Sequence, residues 1–534
     1  MNSSLQSLVT FRAERQPEST AIAYGEKKLS YAELEQRSSQ LARLLASAGC
    51  RKGDRIAFLI PKSPEAIVSM LGILKAGCIY VPLDTASPAA RIAKILQSCE
   101  CRCLLVSDPA HPALREATKN VQLKIGSMSA ARPDTPGFDF CLGDLAAFSA
   151  EPVQPNTSPA DPAHILFTSG STGVPKGVVI THQNVLSFLD WAIPYFGIDS
   201  SDRNSGHSPL HFDLSTFDVY GTLGAGAELH LVKPELNVIP NKLAGFIRDS
   251  QLTQWFSVPS VLSYVAKFDV LNNDDFPALK RVLWCGETLP TPTLIYWMKK
   301  LPHVTFTNLY GPTEATIASS YYTVRECPRD ELAPIPIGEP CGGEELLVLD
   351  EHLQPARENE PGDLYIRGAG LSPGYWRDEQ KTRAAFVPNP ADAADRLYKT
   401  GDLARRGPDG LFYYLGRADT QVKVRGYRVE LGEIEAALHS LHLFHDSAIV
   451  AVCDDAFGSV KLCCAYVAHP EAPLAPTAAK QRLATLLPSY MIPALWHEWK
   501  AFPRTSNGKL DRKQLKLHFE ALAAESAAAA RQSA

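Results

Sequence analysis

The sequence of 534 residues has no long hydrophobic run and no export signal. Pro61, Lys62 and Glu65 interrupt its most hydrophobic region, so no stretch reaches the roughly 18 apolar residues that a membrane span requires. The amino end, MNSSLQSLVTFRAERQPE, lacks the basic segment and the apolar run of a secretory signal. We therefore expect a cytoplasmic protein that does not bind membranes.

The sequence also lacks a basic block and a dense cysteine pattern. Its 53 lysines and arginines against 58 aspartates and glutamates give a net charge of −5, so nucleic acid is not expected as a partner. Twelve cysteines are too dilute for a disulfide framework in a chain of this length. Cys99, Cys101 and Cys103 alternate as in a strand and do not have metal-ligand spacing. We therefore expect reduced thiols.

The apolar residues that are present indicate an α/β fold. A content of 45% apolar and 21% charged residues is typical of a globular protein with a large core. Short apolar or β-branched runs alternate with helical patterns, which predicts sheets covered by helices. Ser30 and Glu33 have capping-box spacing, and Gly49 stands where that helix would stop. A second helix is predicted over residues 65–76, before the strand-like CIYVPLD.

Composition divides the chain into regions. Residues 133–162 are rich in Pro, Ala, Ser and Asp, which predicts an exposed excursion before a strand at residues 164–167. Residues 422–511 contain two apolar β-like stretches, SAIVAVCD and KLCCAYVAH, among helical runs, enough for a small α+β domain with a boundary near Asp419. The final AAESAAAARQSA is either a fraying helix or a disordered tail.

A polar, glycine-rich loop follows the strand predicted at residues 164–167. Its sequence, TSGSTGVPKG over residues 168–177, supplies exposed N–H groups, hydroxyl donors and one lysine, which is what a loop needs to wrap a polyphosphate. A flexible surface turn is the alternative. The spacing is not that of a Walker loop, a dinucleotide fingerprint or a nucleophile elbow. We refer to residues 168–177 as the phosphate loop.

Two later turns carry carboxylates. Glu314 follows an apolar strand and a Gly-Pro turn, where a carboxylate is well placed to hold the magnesium that accompanies nucleotide phosphates, although such a residue also commonly starts a helix. Asp402, within YKTGDL, could accept hydrogen bonds from two neighbouring hydroxyls, as in a ribose diol. Taken alone, the Asp402 segment is a common turn.

With GRADTQVKVRGYRVELGE at residues 416–433 and NGKLD at residues 507–511, these segments resemble the adenylate-forming superfamily. The resemblance is specifically to the amino-acid adenylation domains of nonribosomal peptide synthetases, and it covers over nine-tenths of the chain in family order. It implies a large N-terminal multi-sheet α/β domain of residues 1–418 and a small mobile α+β domain of residues 419–515, followed by a tail of residues 516–534. Asp419 would be the hinge residue, with the active site between the domains.

The same resemblance implies which residues bind ATP and Mg²⁺. The phosphate loop would embrace the β- and γ-phosphates, and Lys509 would reach the substrate carboxylate and the α-phosphate. A surface lysine is the alternative interpretation of Lys509. By motif position the catalytic residues are Lys509 and Glu314. The nucleotide-binding residues are Thr168, Ser169, Gly170, Ser171, Thr172, Gly173 and Lys176 for the phosphates, Asn308 and Tyr310 for adenine, Thr313 with Glu314 for magnesium, and Asp402 with Arg417 for the ribose.

The segment HFDLSTFDVY at residues 211–220 matches the start of the family's acceptor pocket. Asp213 occupies the position at which amino-acid-activating members pair with the substrate's ammonium, although it could instead cap a helix. Apart from Asp213 and Lys509, the implied lining is apolar or small, so no second charge awaits a charged side chain. The pocket positions are Asp213, Leu214, Phe217, Ser257, Leu283, Cys285, Leu309, Ile317 and Ala318.

This lining favours a small neutral amino acid, alanine-sized first and proline second. The WCGE segment at residues 284–287 resembles D-alanine:carrier-protein ligases, but the bulk of Leu309 departs from their pattern. In the absence of carrier or condensation signatures, we expect a stand-alone enzyme that adenylates the amino acid and loads a separate carrier protein through its phosphopantetheine thiol. The rival hypotheses are an acyl- or aryl-CoA synthetase and a non-catalytic ATP-binding scaffold.

Overall fold

The structure is a computed structural model that describes residues 4–134, 136–154, 156–170, 174–453, 460–469, 475–505 and 510–532. Four predicted site residues, Ser171, Thr172, Gly173 and Lys509, lie outside these ranges. The helices are Leu5–Arg15, Tyr31–Ser47, Pro64–Lys75, Ala89–Ser98, Leu114–Thr118, His182–Phe196, Leu214–Thr216, a π-helical turn Phe217–Gly221, Thr222–Ala225, Pro240–Asp249, Pro259–Lys267, Thr291–Lys300, Glu379–Ala385, Leu431–Ser440, Pro476–Leu483 and Arg512–Gln532. Short 3-10 turns are Leu142–Ala147, Pro234–Val238, Thr313–Ala315 and Ser489–Met491.

Two large sheets, mostly parallel, form the main part of the molecule. The first has nine strands, in spatial order Glu339–Pro340, Ser320–Val324, Thr305–Tyr310, Arg281–Cys285, Gln254–Ser257, Arg203–Gly206, Glu228–Leu231, Thr20–Tyr24 and Lys27–Ser30. The second has eight, in the order Gly374–Tyr375, Lys176–Thr181, Pro162–Thr168, Ile79–Pro82, Arg55–Leu59, Cys103–Val106, Lys124–Ser127 and Phe140–Cys141.

Both large sheets are buried on two faces, which explains the continuous apolar runs in the sequence. Ile56 and Phe58 point into one apolar core, whereas Ala57 and Leu59 point into another. The core that contains Ile56 also takes residues from the other large sheet and from helices Tyr31–Ser47, Pro64–Lys75 and His182–Phe196. Those helices therefore lie between the sheets, and the predicted α/β fold is confirmed.

The first of these helices follows the predicted capping signal. The Ser30 side chain accepts from the Glu33 N–H, and the Glu33 side chain accepts from the Ser30 N–H, so the capping box is present. At the contact with the next helix, a Cβ on Gly72 would lie 2.8 Å from a methyl carbon of Leu41. Only glycine allows this close approach of the two helices.

A third, five-stranded sheet packs beside the end of strand Thr305–Tyr310. Its core includes Tyr310 and Ala315 together with Leu346 and Leu364. This contact brings Asp402 and Arg417, which are paired across two of its strands, next to Tyr310. The strands are Glu344–Leu349, Gly362–Gly368, Asp392–Arg406, Phe386–Asn389 and Phe412–Arg417.

The carboxyl-terminal region begins after Arg417. Strands Gln421–Val424 and Tyr427–Glu430 form a two-stranded unit that we call the small-domain hairpin, and helix Leu431–Ser440 follows it. A separate three-stranded sheet contains Asp446–Cys453, Val460–Val467 and Leu495–Glu498. The predicted tail of residues 516–534 begins inside helix Arg512–Gln532. Phe519, which belongs to that predicted tail, is buried against this sheet, as is Leu515. The helix therefore extends past the predicted end of the small domain.

Two local predictions need correction. Among the three alternating cysteines only Cys103 belongs to a strand, since Cys99 ends helix Ala89–Ser98, and all twelve cysteines have free thiols. The region predicted as an exposed excursion contains the edge strand Phe140–Cys141 and a 3-10 turn with Leu145, and these residues are buried. Within the described ranges, every helix is too short or too polar to cross a membrane.

Candidate active site

The phosphate loop connects two antiparallel strands, and its ends are paired through Thr168 and Lys176. A Cβ on Gly170 would lie 2.2 Å from the Val174 carbonyl oxygen, so the loop can close on itself only with glycine there. The Ser169 hydroxyl donates to the Arg428 carbonyl at 2.6 Å. The Gly170 N–H donates to Glu433 at 3.3 Å. The described part of the loop is therefore held by the small-domain hairpin and the helix that follows it.

Glu314 lies directly beside the phosphate loop and is completely buried. Its Oε1 contacts the Lys176 ammonium at 2.9 Å and accepts from the Tyr375 hydroxyl at 2.8 Å, and its Oε2 contacts the Arg428 guanidinium at 2.7 Å. Burial opposes ionisation, but Arg428 and Lys176 together hold the pKa of Glu314 well below its usual range. Burial, and then Arg428, lowers the pKa of Lys176. Glu314 is thus an ionised carboxylate in a site built for positive charge.

Asp402 is the acceptor in a second group of polar contacts. It accepts from the Tyr310 hydroxyl at 2.5 Å and from the Arg417 guanidinium at 2.6 Å. Burial, and then Asp402, raises the pKa of Tyr310 well above its usual range. The Arg417 guanidinium also contacts both oxygens of Asp419 at 2.8 Å. Because a carboxylate offers about four lone-pair positions, Asp402 can still accept from a diol.

Two of the predicted nucleotide ligands have other partners in this structure. The Asn308 amide donates to the Pro336 carbonyl at 2.7 Å. Asn308 is not among the residues that line the cleft between the large region and the small-domain hairpin. The Thr313 hydroxyl, expected beside magnesium, donates to Asp213 at 2.7 Å. Thr313 therefore binds the carboxylate predicted to bind the ammonium, Asp213. Of the two residues predicted for magnesium, Glu314 is the one that lies next to the phosphate loop.

Asp213 is a carboxylate without a direct counter-ion. No lysine or arginine of the described residues forms a salt bridge with it, and burial raises its pKa to about 6, although the Thr313 hydrogen bond and the more distant Lys423 ammonium act in the opposite direction. It does not cap the short helix that begins at Leu214, so the capping alternative is not supported. An ionised carboxylate without a salt-bridge partner is costly to bury, and a ligand that supplies a cation would reduce this cost.

Most of the predicted pocket residues form an apolar layer behind Asp213. Leu283, Cys285 and Leu309 share one face of the first large sheet, since Cys285 is paired with Leu309. Phe217, on the π-helical turn, lies 5.7 Å from the Phe256 ring centroid. Leu214, Phe217, Ile317 and Ala318 belong to the same core.

One predicted pocket residue points elsewhere. Ser257 is paired with Trp284, which faces the opposite core, and its hydroxyl accepts from the Trp255 indole at 2.9 Å. Phe256 instead occupies the face shared with Leu283. The reason is the two-residue period of a strand, which turns neighbouring side chains to opposite faces.

Ile317 adopts an unusual backbone conformation. Its φ of 71° follows the φ of 57° at Thr316, and both residues are β-branched. β-Branched residues are rare at positive φ because the backbone is strained there, and such a strained conformation persists only where surrounding contacts enforce it. The Cys285 thiol lies 3.8 Å from the Ile317 carbonyl oxygen, so the strained turn closes the apolar layer.

One cleft is lined by several of these residues. It encloses about 890 Å³, part of it open to solvent, and it lies between the large region and the small-domain hairpin. Within the described ranges no group of three or more potential metal ligands comes together, so Glu314 would need phosphate oxygens to complete a magnesium site. The predicted residues that line the cleft are Thr168, Ser169, Asp213, Leu214, Tyr310, Thr313, Asp402 and Arg417.

The sequence interpretation missed several residues at this site. Arg428 and Glu433 lie within the quoted segment 416–433, but that segment alone did not show that their side chains reach Glu314 and Gly170. Tyr375 was not singled out, because it lies far from every motif in sequence. Lys423 and Tyr427 also line the cleft. The available signal was the density of charged residues in segment 416–433.

Comparison with known proteins agrees with the geometry. A sequence profile of the family "AMP-binding enzyme" matches residues 9–376. Bacitracin synthase 1 of Bacillus licheniformis is 35% identical over 514 residues, and gramicidin S synthase 2 of Brevibacillus brevis is 34% identical over 515 residues. Each alignment covers 96% of this chain but only 9% and 11% of the two synthetases, so the chain spans about a tenth of their length.

Solved structures give the same result. The adenylation domain AlmE of Vibrio cholerae, in complex with glycyl-adenosine-5'-phosphate, matches with a TM-score of 0.85 and 26% identity over 98% of both chains. NpsA-ThdA, an artificially fused adenylation-PCP di-domain from Klebsiella oxytoca, matches with a TM-score of 0.78 and 26% identity over 93% of both chains. The chain therefore belongs to the AMP-binding enzyme family, and it has the fold of the nonribosomal peptide synthetase adenylation domains.

Proposed function

We propose that the protein uses ATP to convert a small neutral amino acid into an aminoacyl-adenylate and then passes the aminoacyl group to a thiol. The observation that carries this proposal is Asp213, a cleft-wall carboxylate that forms no salt bridge with any described residue and whose pKa burial raises despite the nearby Lys423. An α-ammonium group would supply the missing charge. A fatty or aryl acid has no such group, which favours amino-acid activation over the CoA synthetase alternative.

The size of the substrate follows from the apolar layer behind Asp213. Leu283, Cys285 and Leu309 carry no charge, and Phe217 reduces the space, so a charged side chain would be buried without a partner. An alanine-sized amino acid fits this chemistry best, and proline is second. The glycyl-adenylate in the related domain AlmE supports a small substrate.

The first half-reaction joins a carboxylate oxygen of the amino acid to the α-phosphorus of ATP and breaks the bond to the β-phosphate oxygen, which leaves as pyrophosphate. Lys176 and the Gly170 N–H would bind the departing phosphates, and Asp402 with Arg417 would hold the ribose; the support is that Lys176 lies beside Glu314 at the phosphate loop and that Arg417 contacts Asp402. Magnesium, bound with Glu314 and the phosphates, would offset negative charge. Lys509, outside the described residues, would neutralise charge developing at the α-phosphate.

The second half-reaction needs a thiol. We propose the phosphopantetheine thiol of a carrier protein, whose sulfur attacks the acyl carbon and releases AMP. The fused adenylation-PCP relative supports a carrier as partner. We also propose that residues 419–515 rotate between the half-reactions with Asp419 as the hinge, because its carboxylate joins Arg417 to the Gln421 N–H at the start of the small-domain hairpin.

Amino-acid-dependent pyrophosphate exchange tests the proposal. The panel is the twenty L-amino acids, D-alanine, β-alanine and several aryl and fatty acids, with coenzyme A as an alternative thiol. We expect one strong signal from a small neutral amino acid and none from the other acids. Lys509→Ala should lose about 100-fold or more of the exchange while keeping ATP binding. A response confined to fatty or aryl acids would move the protein to the CoA synthetases.

A further inference from the structure

A buried lysine joins the two large sheets. Lys62 lies shortly after strand Arg55–Leu59 of the second large sheet, and its side chain is buried. Its ammonium donates to the backbone carbonyls of His207 and Ser208, to the second at 3.4 Å. These two residues directly follow strand Arg203–Gly206 of the first large sheet. Lys62 therefore ties the carboxyl end of a strand in one sheet to that of a strand in the other.

A buried carboxylate contacts one of the same residues. Asp218, on the π-helical turn, accepts from the Ser208 N–H through its Oδ2 at 3.2 Å. Its other oxygen, Oδ1, has no hydrogen-bond partner among the described residues. Burial raises the pKa of Asp218 and lowers that of Lys62, and the charge of each group opposes the shift of the other. Ser208 is thus held by a cation at its carbonyl and by a carboxylate at its N–H.

Ser208 and Asp218 are the two ends of the segment that carries Asp213, and we call residues 208–218 the acceptor loop. The hydrogen bond between Ser208 and Asp218 closes the base of this loop. Farther along the loop, the Thr216 N–H donates to the Asp213 carbonyl at 2.9 Å, so the backbone of Asp213 is fixed within the loop. We therefore expect a displacement at the base of the loop to move the Asp213 carboxylate.

Resting on the proposed function, we propose that Lys62 and Asp218 are positioning residues for the amino acid. They hold the base of the acceptor loop and so set where Asp213 meets the substrate's ammonium group. The second large sheet also contains strands Pro162–Thr168 and Lys176–Thr181, which flank the phosphate loop. Lys62 thus links the sheet that carries the phosphate loop to the loop that carries Asp213. The reaction depends on this spacing, because the substrate carboxylate must lie within bonding reach of the α-phosphorus.

A second buried lysine provides the comparison with a purely structural role. Lys75 pairs with Glu35 at 2.5 Å and donates to the Ser39 hydroxyl at 3.0 Å. Both partners lie on helix Tyr31–Ser47, which carries none of the predicted site residues. Removing either buried ammonium leaves polar groups without a partner, which lowers stability. Only the loss of Lys62 should also change the binding of the amino acid.

Steady-state pyrophosphate exchange on the full chain tests the inference, with alanine as the first probe and otherwise the acid of the panel that gives the strongest signal. We expect Lys62→Met to raise the amino-acid KM about 10-fold and to leave the ATP KM unchanged, because the groups proposed for ATP lie outside the acceptor loop. Lys62→Arg keeps a cation that can donate to both carbonyls, and its amino-acid KM should stay within about 3-fold of the wild type. Lys75→Met is the matched control. It should lower the urea midpoint, as Lys62→Met does, and leave both KM values unchanged.

The outcomes separate the inference from the proposed function. An unchanged amino-acid KM in folded Lys62→Met, or an equal rise in Lys75→Met, would overturn the inference and leave the proposed function intact. If Lys62→Met does not fold, Asp218→Ala decides, because it removes the acceptor of the Ser208 N–H and should raise the amino-acid KM by a similar factor. An unchanged KM in that variant would overturn the inference. Absence of amino-acid-dependent exchange in the wild type would overturn both.

Discussion

Glu314 and Asp213 are neighbouring carboxylates, since Asp213 accepts a hydrogen bond from Thr313, the residue before Glu314. Burial acts on both, yet their pKa values shift in opposite directions. Lys176 and Arg428 surround Glu314 and keep its pKa well below the usual range. Asp213 has a hydroxyl as its close partner, and burial raises its pKa to about 6.

The difference shows what each carboxylate still needs. The protein itself supplies positive charge to Glu314, so that site is stable without a ligand. At Asp213 the described residues supply no salt bridge, and the nearby Lys423 ammonium offsets only part of the effect of burial, so binding of an ammonium group would lower the cost of its ionisation. Under the proposed function, the same functional group would serve structure and phosphate chemistry at one position and substrate recognition at the other.

Glu314→Gln should produce the largest effect. It leaves Lys176 and Arg428 as partly buried cations without the carboxylate that they share, and we expect a loss of about 3 kcal/mol in the free energy of unfolding, together with loss of pyrophosphate exchange. Urea unfolding measures the first effect. The control is Glu345→Gln, whose carboxylate pairs with Arg367 at the surface and should change stability by less than about 0.5 kcal/mol. Equal stability of the two variants would contradict the role assigned to Glu314.

Asp213→Asn should act on the substrate and not on the fold. Replacing the carboxylate by an amide removes the ionic partner of the α-ammonium, and we expect the amino-acid KM to rise about 30-fold with an unchanged ATP KM. Steady-state exchange at varied amino acid and varied ATP measures both constants. Thr313→Val, which keeps the charge and removes one hydrogen bond, should have a much smaller effect. A rise in the ATP KM alone would remove Asp213 from the amino-acid site.

The pH profile should report the ionisation of Asp213. Its pKa of about 6 in the free protein lies above the usual carboxyl range, so protonation begins as the pH falls through 6. Because the ionised form binds the ammonium, kcat/KM for the amino acid should fall about 10-fold per pH unit below 6. Any decline that survives in Asp213→Asn belongs to other groups, such as His211, whose pKa is lowered by burial. An unchanged decline in that variant would contradict the assignment.

Much of the fold could be predicted because its signals are local. The capping box at Ser30 and Glu33 and the buried runs of the parallel strands depend on neighbouring residues, and the structure contains both. The alternating cysteines misled the prediction, because a helix ends at Cys99 before the strand begins at Cys103. Periodicity alone does not show where one element stops.

The site was less predictable for a different reason. Motif order assigned Asp402 and Arg417 to one shared role, and the structure pairs these two residues on adjacent strands. It could not show that Ser257 faces away from Phe256, since the direction of a side chain depends on the register with the next strand. Nor could it show that Arg428 reaches Glu314, a contact across 114 positions of sequence that exists only when two regions are docked.

Tyr310→Phe should produce the smallest of these effects, and it tests the rule that a carboxylate with a remaining cation tolerates the loss of a neutral partner. The variant removes the hydroxyl that donates to Asp402, but Arg417 still contacts that carboxylate at 2.6 Å. We expect the ATP KM to rise about 5-fold, from the loss of one hydrogen bond, and the amino-acid KM to stay the same. Titrating ATP at saturating amino acid measures this change. A loss of pyrophosphate exchange as large as that of Glu314→Gln would mean that Arg417 does not compensate the charge of Asp402. The contrast between carboxylates with and without a salt-bridge partner would then not hold.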